Sequence, residues 1–148
     1  MSEAAATLFG LGRVPFAPGT LGSLAALPLA WLAMSLGGMT ATLALAALVA
    51  VVGIWVSEAY AVESGNADPE ECIIDEVAGQ LVACALAPLS LAGFALAFAM
   101  FRLFDISKLW PVSAAERLRG GIGIVGDDLV AGVIAGIVVA VADATGLV

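Results

Sequence analysis

Long apolar stretches separated by short polar segments dominate the chain. Residues 20–36 and 40–57 contain no charged residue, and each is about long enough to cross the hydrocarbon core of a bilayer as a helix. The Gly37-Gly38 pair between them is typical of a tight turn. The pattern therefore predicts two membrane spans joined as an antiparallel hairpin.

Two further apolar stretches follow. Residues 129–148 carry one acid near their far end and predict a third span, in which the Gly132-xxx-Gly136 spacing favours close helix packing. Residues 77–101 are also uncharged, and here a single crossing competes with a helical hairpin broken at Pro88.

The basic residues decide between these alternatives. Of the five Lys and Arg residues, Arg13 precedes the first stretch and the other four lie within residues 102–119. The positive-inside rule places both regions on the cytoplasmic side. Two spans return the chain to that side at residues 58–76, so one further crossing would put the later basic segment on the wrong side. A hairpin near Pro88 removes the contradiction.

The sequence thus predicts an all-α integral membrane protein in which one domain covers residues 1–148 and contains about five helical segments. Three polar segments are expected at one membrane face: residues 10–19, 58–76 and 102–128.

Composition supports this prediction and narrows the function. The 148 residues are 62% hydrophobic and 12% charged, and the mean hydropathy is +1.10. A net charge of -8 argues against nucleic-acid binding. The absence of histidine excludes Ser-His-Asp catalysis, Cys-His catalysis and histidine-ligated zinc. Cys72 and Cys84 form no CxxC pair and are interpreted as packing residues.

Acidic residues fall into two classes. Those near the start of the middle polar segment are expected to form a solvated loop: Glu58, Glu63, Asp68, Glu70 and Glu71. The pairs Asp75-Glu76 and Asp127-Asp128 differ because each opens directly into an apolar helix. An ionised carboxylate at the membrane boundary is costly unless it is paired or binds a metal.

Helix capping is the alternative explanation for these acids, and it stays open for Asp127. Capping needs one acid per helix, however, and the predicted topology brings two adjacent pairs and Asp105 to one face. Carboxylates without histidine or thiolate partners make a hard oxygen site that suits Mg²⁺. The predicted ligands are Asp75, Glu76, Asp127 and Asp128.

Arg102, Asp105 and Lys108 are three residues apart, on one side of a helix predicted to end near Pro111. A carboxylate between two cations favours a phosphate clamp beside a metal ligand. The alternative is a basic patch that contacts anionic lipid headgroups.

Two glycine-rich segments, residues 10–23 and 120–128, each lead into a predicted helix N-terminus, where free backbone N–H groups can bind phosphate oxygens. The residues expected to bind the phosphate group are Gly19, Thr20, Ser23 and Gly121, together with Arg102 and Lys108.

Four blocks of sequence, at residues 17–26, 73–79, 101–111 and 120–132, together resemble the phosphatidylglycerophosphatase A family and occur in its order. The resemblance implies a magnesium-dependent, multi-pass enzyme of the bacterial inner membrane, with its active site on the cytoplasmic face. Its expected partners are the bilayer and a phospholipid substrate, phosphatidylglycerophosphate, which it would hydrolyse to phosphatidylglycerol and phosphate. The resemblance also implies these active-site residues: Asp75, Glu76, Asp105, Lys108, Asp127 and Asp128.

One position departs from the family pattern, because Leu109 stands where the family usually has proline after the lysine. This change removes no chemical group from the expected site.

Other phosphatase mechanisms lack their residues. A cysteine phosphatase needs an arginine six residues after its thiolate, but Ala78 and Ser90 stand at these positions. No DxD motif of a phosphoaspartate enzyme is present. We therefore expect direct attack by a metal-activated water, with Arg102 and Lys108 stabilising the transition state.

Two alternatives remain. The substrate could be another lipid phosphate such as phosphatidate, because nothing in the sequence discriminates between headgroups. A protein of a different class, a small cation transporter or channel, would place its acids near the middle of the spans rather than at their ends.

Overall fold

The computed structural model describes residues 2–67 and 69–148, so Asp68, one of the predicted loop acids, lies outside the described residues. Within these ranges no strand is formed, and the predicted all-α fold is confirmed. The helices are α1 (Ser2–Ala6), α2 (Pro18–Ser64), α3 (Ile74–Ala85), α4 (Leu91–Ser107), α5 (Val112–Ala115) and α6 (Gly121–Ala144), with a 3₁₀ turn at Leu11–Arg13.

Helix α2 is broken into two arms at the predicted glycine turn. Gly37 (φ −151°, ψ 16°) and Gly38 (φ 63°, ψ −155°) both leave the helical conformation. The combination at Gly38 of positive φ with extended ψ is open to glycine and strained for other residues. The turn is therefore specified locally by residues without a Cβ atom.

The two arms of α2 run antiparallel, as predicted. Gly22 in the first arm packs against Ile73, and the Ser57 Oγ in the second arm lies 3.1 Å from the Cys72 Sγ. Because residues near both ends of α2 reach the same short segment before α3, the arms must return to one side.

The second arm continues to Ser64, so the expected end near residue 57 is wrong. Glu58 and Glu63 consequently lie on exposed helical turns rather than in a loop. Glu70 and Glu71 do lie outside the helices and are exposed, as predicted.

Helices α3 and α4 form the predicted hairpin. Residues 86–90 connect them, and Ser90 caps α4 by accepting a hydrogen bond of 2.9 Å from the Gly93 N–H. Asp75 at the start of α3 and Asp105 near the end of α4 line one cavity. The stretch 77–101 therefore turns back on itself instead of crossing once.

Helix α6 begins at Gly121 instead of at residue 129, so the loop predicted for residues 120–128 is wrong. The cap residue is Gly120, which also excludes the capping role left open for Asp127. The glycines here permit close helix contacts: a Cβ on Gly121 would overlap the Ile54 carbonyl.

The first predicted glycine-rich loop is also shorter than expected, because the helix that follows it begins earlier than predicted. Helix α2 already begins at Pro18, so only residues 10–17 of the expected loop lie outside it.

Small residues let α3 pack closely against α6. A Cβ on Gly132 would overlap the Gly79 carbonyl, and one on Gly136 would lie 2.6 Å from Leu86. The packing role predicted from the Gly132-xxx-Gly136 spacing is confirmed. Helix α3 thus lies in the centre of the fold, with its first turn fixed relative to α6.

Two helices, Pro18–Ser64 and Gly121–Ala144, are long and apolar enough to cross a membrane. Large apolar side chains on α2 are exposed, among them Leu36 (79%) and Trp55 (78%). A surface of this kind is unusual in a soluble monomer and suggests a membrane protein.

Candidate active site

A cavity of about 260 Å³ lies where the first turns of α2 and α3 meet the end of α4 and the second turn of α6. It brings together all six residues that the sequence predicted to be catalytic. Its charged walls are Glu70, Asp75, Glu76, Arg102, Asp105, Lys108, Asp127 and Asp128.

Helix α3 supplies the first two carboxylates from its first turn. This position suits acids because the unpaired N–H groups and the macrodipole there favour negative charge. Asp75 Oδ1 accepts a hydrogen bond of 3.1 Å from the Glu76 N–H. The side chain of the N-cap residue, Ile73, accepts no hydrogen bond from these N–H groups.

Helix α4 supplies two cations and one carboxylate. Arg102 Nη1 lies 2.5 Å from Asp105 Oδ2, one turn along the helix. Lys108 ends the helix in a left-handed conformation (φ 47°, ψ 36°), and its N–H donates to the Phe104 carbonyl at 3.1 Å. The predicted line of three charges is therefore present, with its last member at the helix end.

Helix α6 supplies Asp127 and Asp128, both buried. Lys108 Nζ donates a hydrogen bond to Asp127 Oδ2, and the Asp128 N–H donates to Asp127 Oδ1 at 3.0 Å. Lys108 Nζ also lies 3.9 Å from Asp105 Oδ1 and 4.0 Å from Glu116 Oε1. The ammonium group thus links α4 to α6 across the cavity.

Burial alone would lower the pKa of Lys108, but its hydrogen bond to Asp127 and the charges of Asp127, Asp128 and Asp105 raise that pKa on balance. Lys108 is therefore a cation at neutral pH. It can donate hydrogen bonds and stabilise negative charge.

Three of the four predicted metal ligands form a compact group. Oxygen atoms of Asp75, Glu76 and Asp128 lie within 4.8 Å of one another. Three carboxylate oxygens at this spacing are close enough for one hard divalent cation to draw them into its coordination shell. Carboxylates this close repel one another unless a cation or protons compensate them. The donor set therefore fits a hard divalent cation.

Asp127 lies outside this group and pairs with Lys108 instead. Its assignment as a metal ligand stays a prediction. In the structure its carboxylate binds the Lys108 ammonium group, beside the three-carboxylate group.

Of the predicted phosphate-binding residues, Gly19 lines the cavity together with Arg102 and Lys108. A Cβ at this position would overlap the Glu76 carboxylate and lie 3.1 Å from Arg102 Nη1. Glycine therefore lets the α2 N-terminus approach both charged groups.

Thr20, Ser23 and Gly121 do not line the cavity. Ser23 is buried, and its Oγ donates a hydrogen bond of 2.9 Å to the Gly19 carbonyl inside α2. Gly121 lies at the contact between α6 and the second arm of α2.

Among the cavity residues that were not predicted, two have ionisable side chains. Glu70 was grouped with the solvated acids and Cys72 with the packing residues, yet both line the cavity. No local pattern distinguished Glu70 from its acidic neighbours, because its place depends on how the loop folds over α3. Because Glu70 is exposed, it lies at the mouth of the cavity.

Comparison with known proteins agrees with this geometry. The family model for phosphatidylglycerophosphatase A matches residues 4–143. No solved structure matches the chain.

Three relatives align over most of their lengths. A Bacteroides thetaiotaomicron protein with the provisional name phosphatidylinositol-3-phosphatase is 38% identical, over 92% of this chain and 89% of its own. The phosphatidylglycerophosphatase A of Haemophilus influenzae is 38% identical, over 88% and 82%. That of Escherichia coli is 36% identical, over 85% and 74%.

The chain therefore belongs to the phosphatidylglycerophosphatase A family and, with it, to the phosphoric monoester hydrolases.

Proposed function

We propose that the protein hydrolyses the terminal phosphomonoester of phosphatidylglycerophosphate, giving phosphatidylglycerol and phosphate, with Mg²⁺ as its cofactor. The observation that carries this proposal is the meeting of a three-carboxylate group with two cations, Arg102 and Lys108, in one cavity. The names of the Haemophilus influenzae and Escherichia coli relatives support the choice of substrate.

Asp75, Glu76 and Asp128 would hold the Mg²⁺ ion, because their oxygens are the closest group of hard ligands in the described chain. An ion held by these residues would supply activation of the attacking water and neutralisation of charge on the phosphoryl oxygens.

The two cations of the clamp would bind the remaining phosphoryl oxygens. Asp105 holds the Arg102 guanidinium, and Asp127 holds the Lys108 ammonium. Because each cation is fixed by a partly or largely buried carboxylate, little reorganisation is needed as negative charge develops in the transition state. The acids paired with the cations thus position the clamp, and the other three acids form the metal site.

We place the enzyme in the bacterial inner membrane as a multi-pass protein, with the cavity on the cytoplasmic face. The basic residues support this orientation, because Arg102 lies near the end of α4, and Lys108, Arg117 and Arg119 lie between α4 and α6. Arg13 precedes α2 at the end of that helix that lines the cavity.

A second candidate substrate is phosphatidylinositol 3-phosphate, because the Bacteroides thetaiotaomicron relative, of equal identity, has the provisional name phosphatidylinositol-3-phosphatase. Phosphatidate is a third. Cation transport is not favoured, because the acids converge at one end of the helices and two of them pair with basic side chains.

The test is phosphate release by the detergent-purified protein from these three lipids in mixed micelles, each with Mg²⁺ and with excess chelator. We expect release from phosphatidylglycerophosphate with the highest kcat/KM, and only in the presence of Mg²⁺. Preference for another lipid would contradict the substrate assignment. Full activity in chelator would contradict the cofactor.

A further inference from the structure

Two aromatic side chains that are close in sequence to cavity residues are almost fully exposed. Phe16 (82% exposed) precedes the cavity residue Ala17, and Trp110 (83% exposed) follows the cavity residue Lys108 by two positions. Neither belongs to the two helices long enough to cross a membrane. We call Phe16 and Trp110 the apolar rim.

The length of α6 indicates the depth of the cavity. Its 24 residues extend about 36 Å at 1.5 Å per residue, against a hydrocarbon core of about 30 Å. If the helix crosses the bilayer, its first turns lie at the boundary with the headgroups. Asp127 and Asp128 are in the second turn and share the cavity with Lys108. The cavity then lies at the membrane boundary, below the aqueous phase.

Helix α2 gives the same depth independently. Its first arm starts at Pro18 and reaches the glycine turn at Gly37, which is about the length needed to cross the hydrocarbon core. Pro18 and Gly19 line the cavity. Phe16 therefore extends from the chain where that crossing ends.

The charged residues near the apolar rim indicate which kind of surface contacts it. The protein carries a net charge of -8, so a random part of its surface would repel an anionic membrane. Near Phe16 the cation Arg13 is paired with Glu3, and the exposed Arg117 and Arg119, which form no ion pair in the described chain, follow Trp110. Aromatic side chains interleaved with basic ones at the end of a span are typical of the headgroup layer of anionic lipids.

We propose that the apolar rim is immersed in the headgroup layer of an anionic bilayer, so that the cavity opens sideways onto the membrane surface. The phosphate ester enters from a lipid whose acyl chains stay in the bilayer. The nature of this substrate rests on the proposed function, whereas the depth of the rim does not.

The depth is tested by fluorescence of Trp110 as the sole tryptophan, in a Trp31→Phe/Trp55→Phe protein reconstituted into vesicles of phosphatidylglycerol and phosphatidylethanolamine. Lipids brominated near the glycerol should quench Trp110 more strongly than lipids brominated near the chain ends, and acrylamide should quench it weakly. Strong quenching by acrylamide, with none by brominated lipid, would overturn the proposal and leave the rim facing water or a protein partner.

The consequence for the substrate is tested with the double variant Phe16→Ser/Trp110→Ser. For a long-chain lipid phosphate in vesicles we expect KM to rise by about tenfold, from the loss of two buried apolar contacts with lipid. For a water-soluble short-chain analogue both kcat and KM should stay unchanged. Equal losses on the two substrates would overturn the proposal.

Leu147→Ser is the matched control, because Leu147 is 78% exposed and lies beyond the far end of α6. It should leave both substrates unaffected. A Trp110 quenched by lipid in a protein that releases no phosphate from any lipid would contradict the proposed function alone, so the two failures are distinguishable.

Discussion

Lys108 has both a structural and a chemical role in the site. Its ammonium group hydrogen-bonds to Asp127, whose side chain is only 5% exposed, and its own side chain is 34% exposed. The sequence predicted Lys108 as part of a clamp with Arg102. It could not predict the Asp127 partner, because the two residues meet only after α4 packs against α6.

Lys108→Met is expected to lower kcat by about 10²-fold, the usual cost of removing one preorganised donor to the transition state, with a smaller change in KM. The methionine keeps most of the side-chain length and removes the charge. Steady-state kinetics in mixed micelles gives both constants. An unchanged kcat would refute the clamp role.

The double variant Lys108→Met/Asp127→Asn separates the structural role of Lys108 from its role in catalysis. Lys108→Met alone leaves a buried carboxylate without its cation and should lower the Tm. Removing the Asp127 charge as well should recover much of that Tm but none of the kcat. Arg117→Ala, at an exposed position outside the cavity, should at most raise KM, and salt should mimic its effect.

Among the helices, the turns were the easiest features to predict. The Gly37-Gly38 break depends on local backbone chemistry, whereas the hairpin around Pro88 followed from the distribution of the basic residues. The start of α6 was missed because glycine is usually a sign of a loop. Gly121 instead allows contact with Ile54, and that requirement comes from a distant segment of the chain.

Gly132 and Gly126 on the same helix offer a matched pair. Gly132→Ala should lower both the Tm and the activity, because its Cβ would overlap the Gly79 carbonyl and separate α6 from α3. A Cβ on Gly126 meets nothing within 4 Å, so Gly126→Ala should be neutral or stabilise the helix by about 0.5–1 kcal/mol. Thermal unfolding and phosphate release measure both effects, and equal behaviour of the two variants would contradict the proposed packing.

At the scale of the whole molecule, the sequence predicted which acids would converge but not how they divide. The positive-inside rule and the apolar pattern were enough to gather five acids at one membrane face, the two adjacent pairs and Asp105, and all five line the cavity. Their division into an Asp75–Glu76–Asp128 group and two ion pairs depends on side-chain positions. Sequence spacing does not contain that information.

The proposed topology predicts which side of the membrane each loop occupies. Cysteines introduced at Asn66 and Ala115 should react with an impermeant maleimide from the same side of sealed vesicles, because both flank the cavity end of the helices. A cysteine at Leu147, beyond the far end of α6, should react from the opposite side. The native Cys72 and Cys84 are buried and should contribute little background. Labelling of positions 66 and 115 from opposite sides would refute the topology.

The most direct test of the central claim is the Mg²⁺ dependence of phosphate release from phosphatidylglycerophosphate by the wild type, Glu76→Gln, Asp128→Asn and Asp143→Asn. The three changes are nearly isosteric, and Asp143 is an exposed acid far from the cavity. Each change at the carboxylate group should raise the half-activating Mg²⁺ concentration by at least about tenfold, through loss of an anionic ligand, while the protein keeps its fold. Asp143→Asn should match the wild type. Curves for Glu76→Gln and Asp128→Asn that superimpose on the wild-type curve would contradict the assignment of this cluster as the magnesium site.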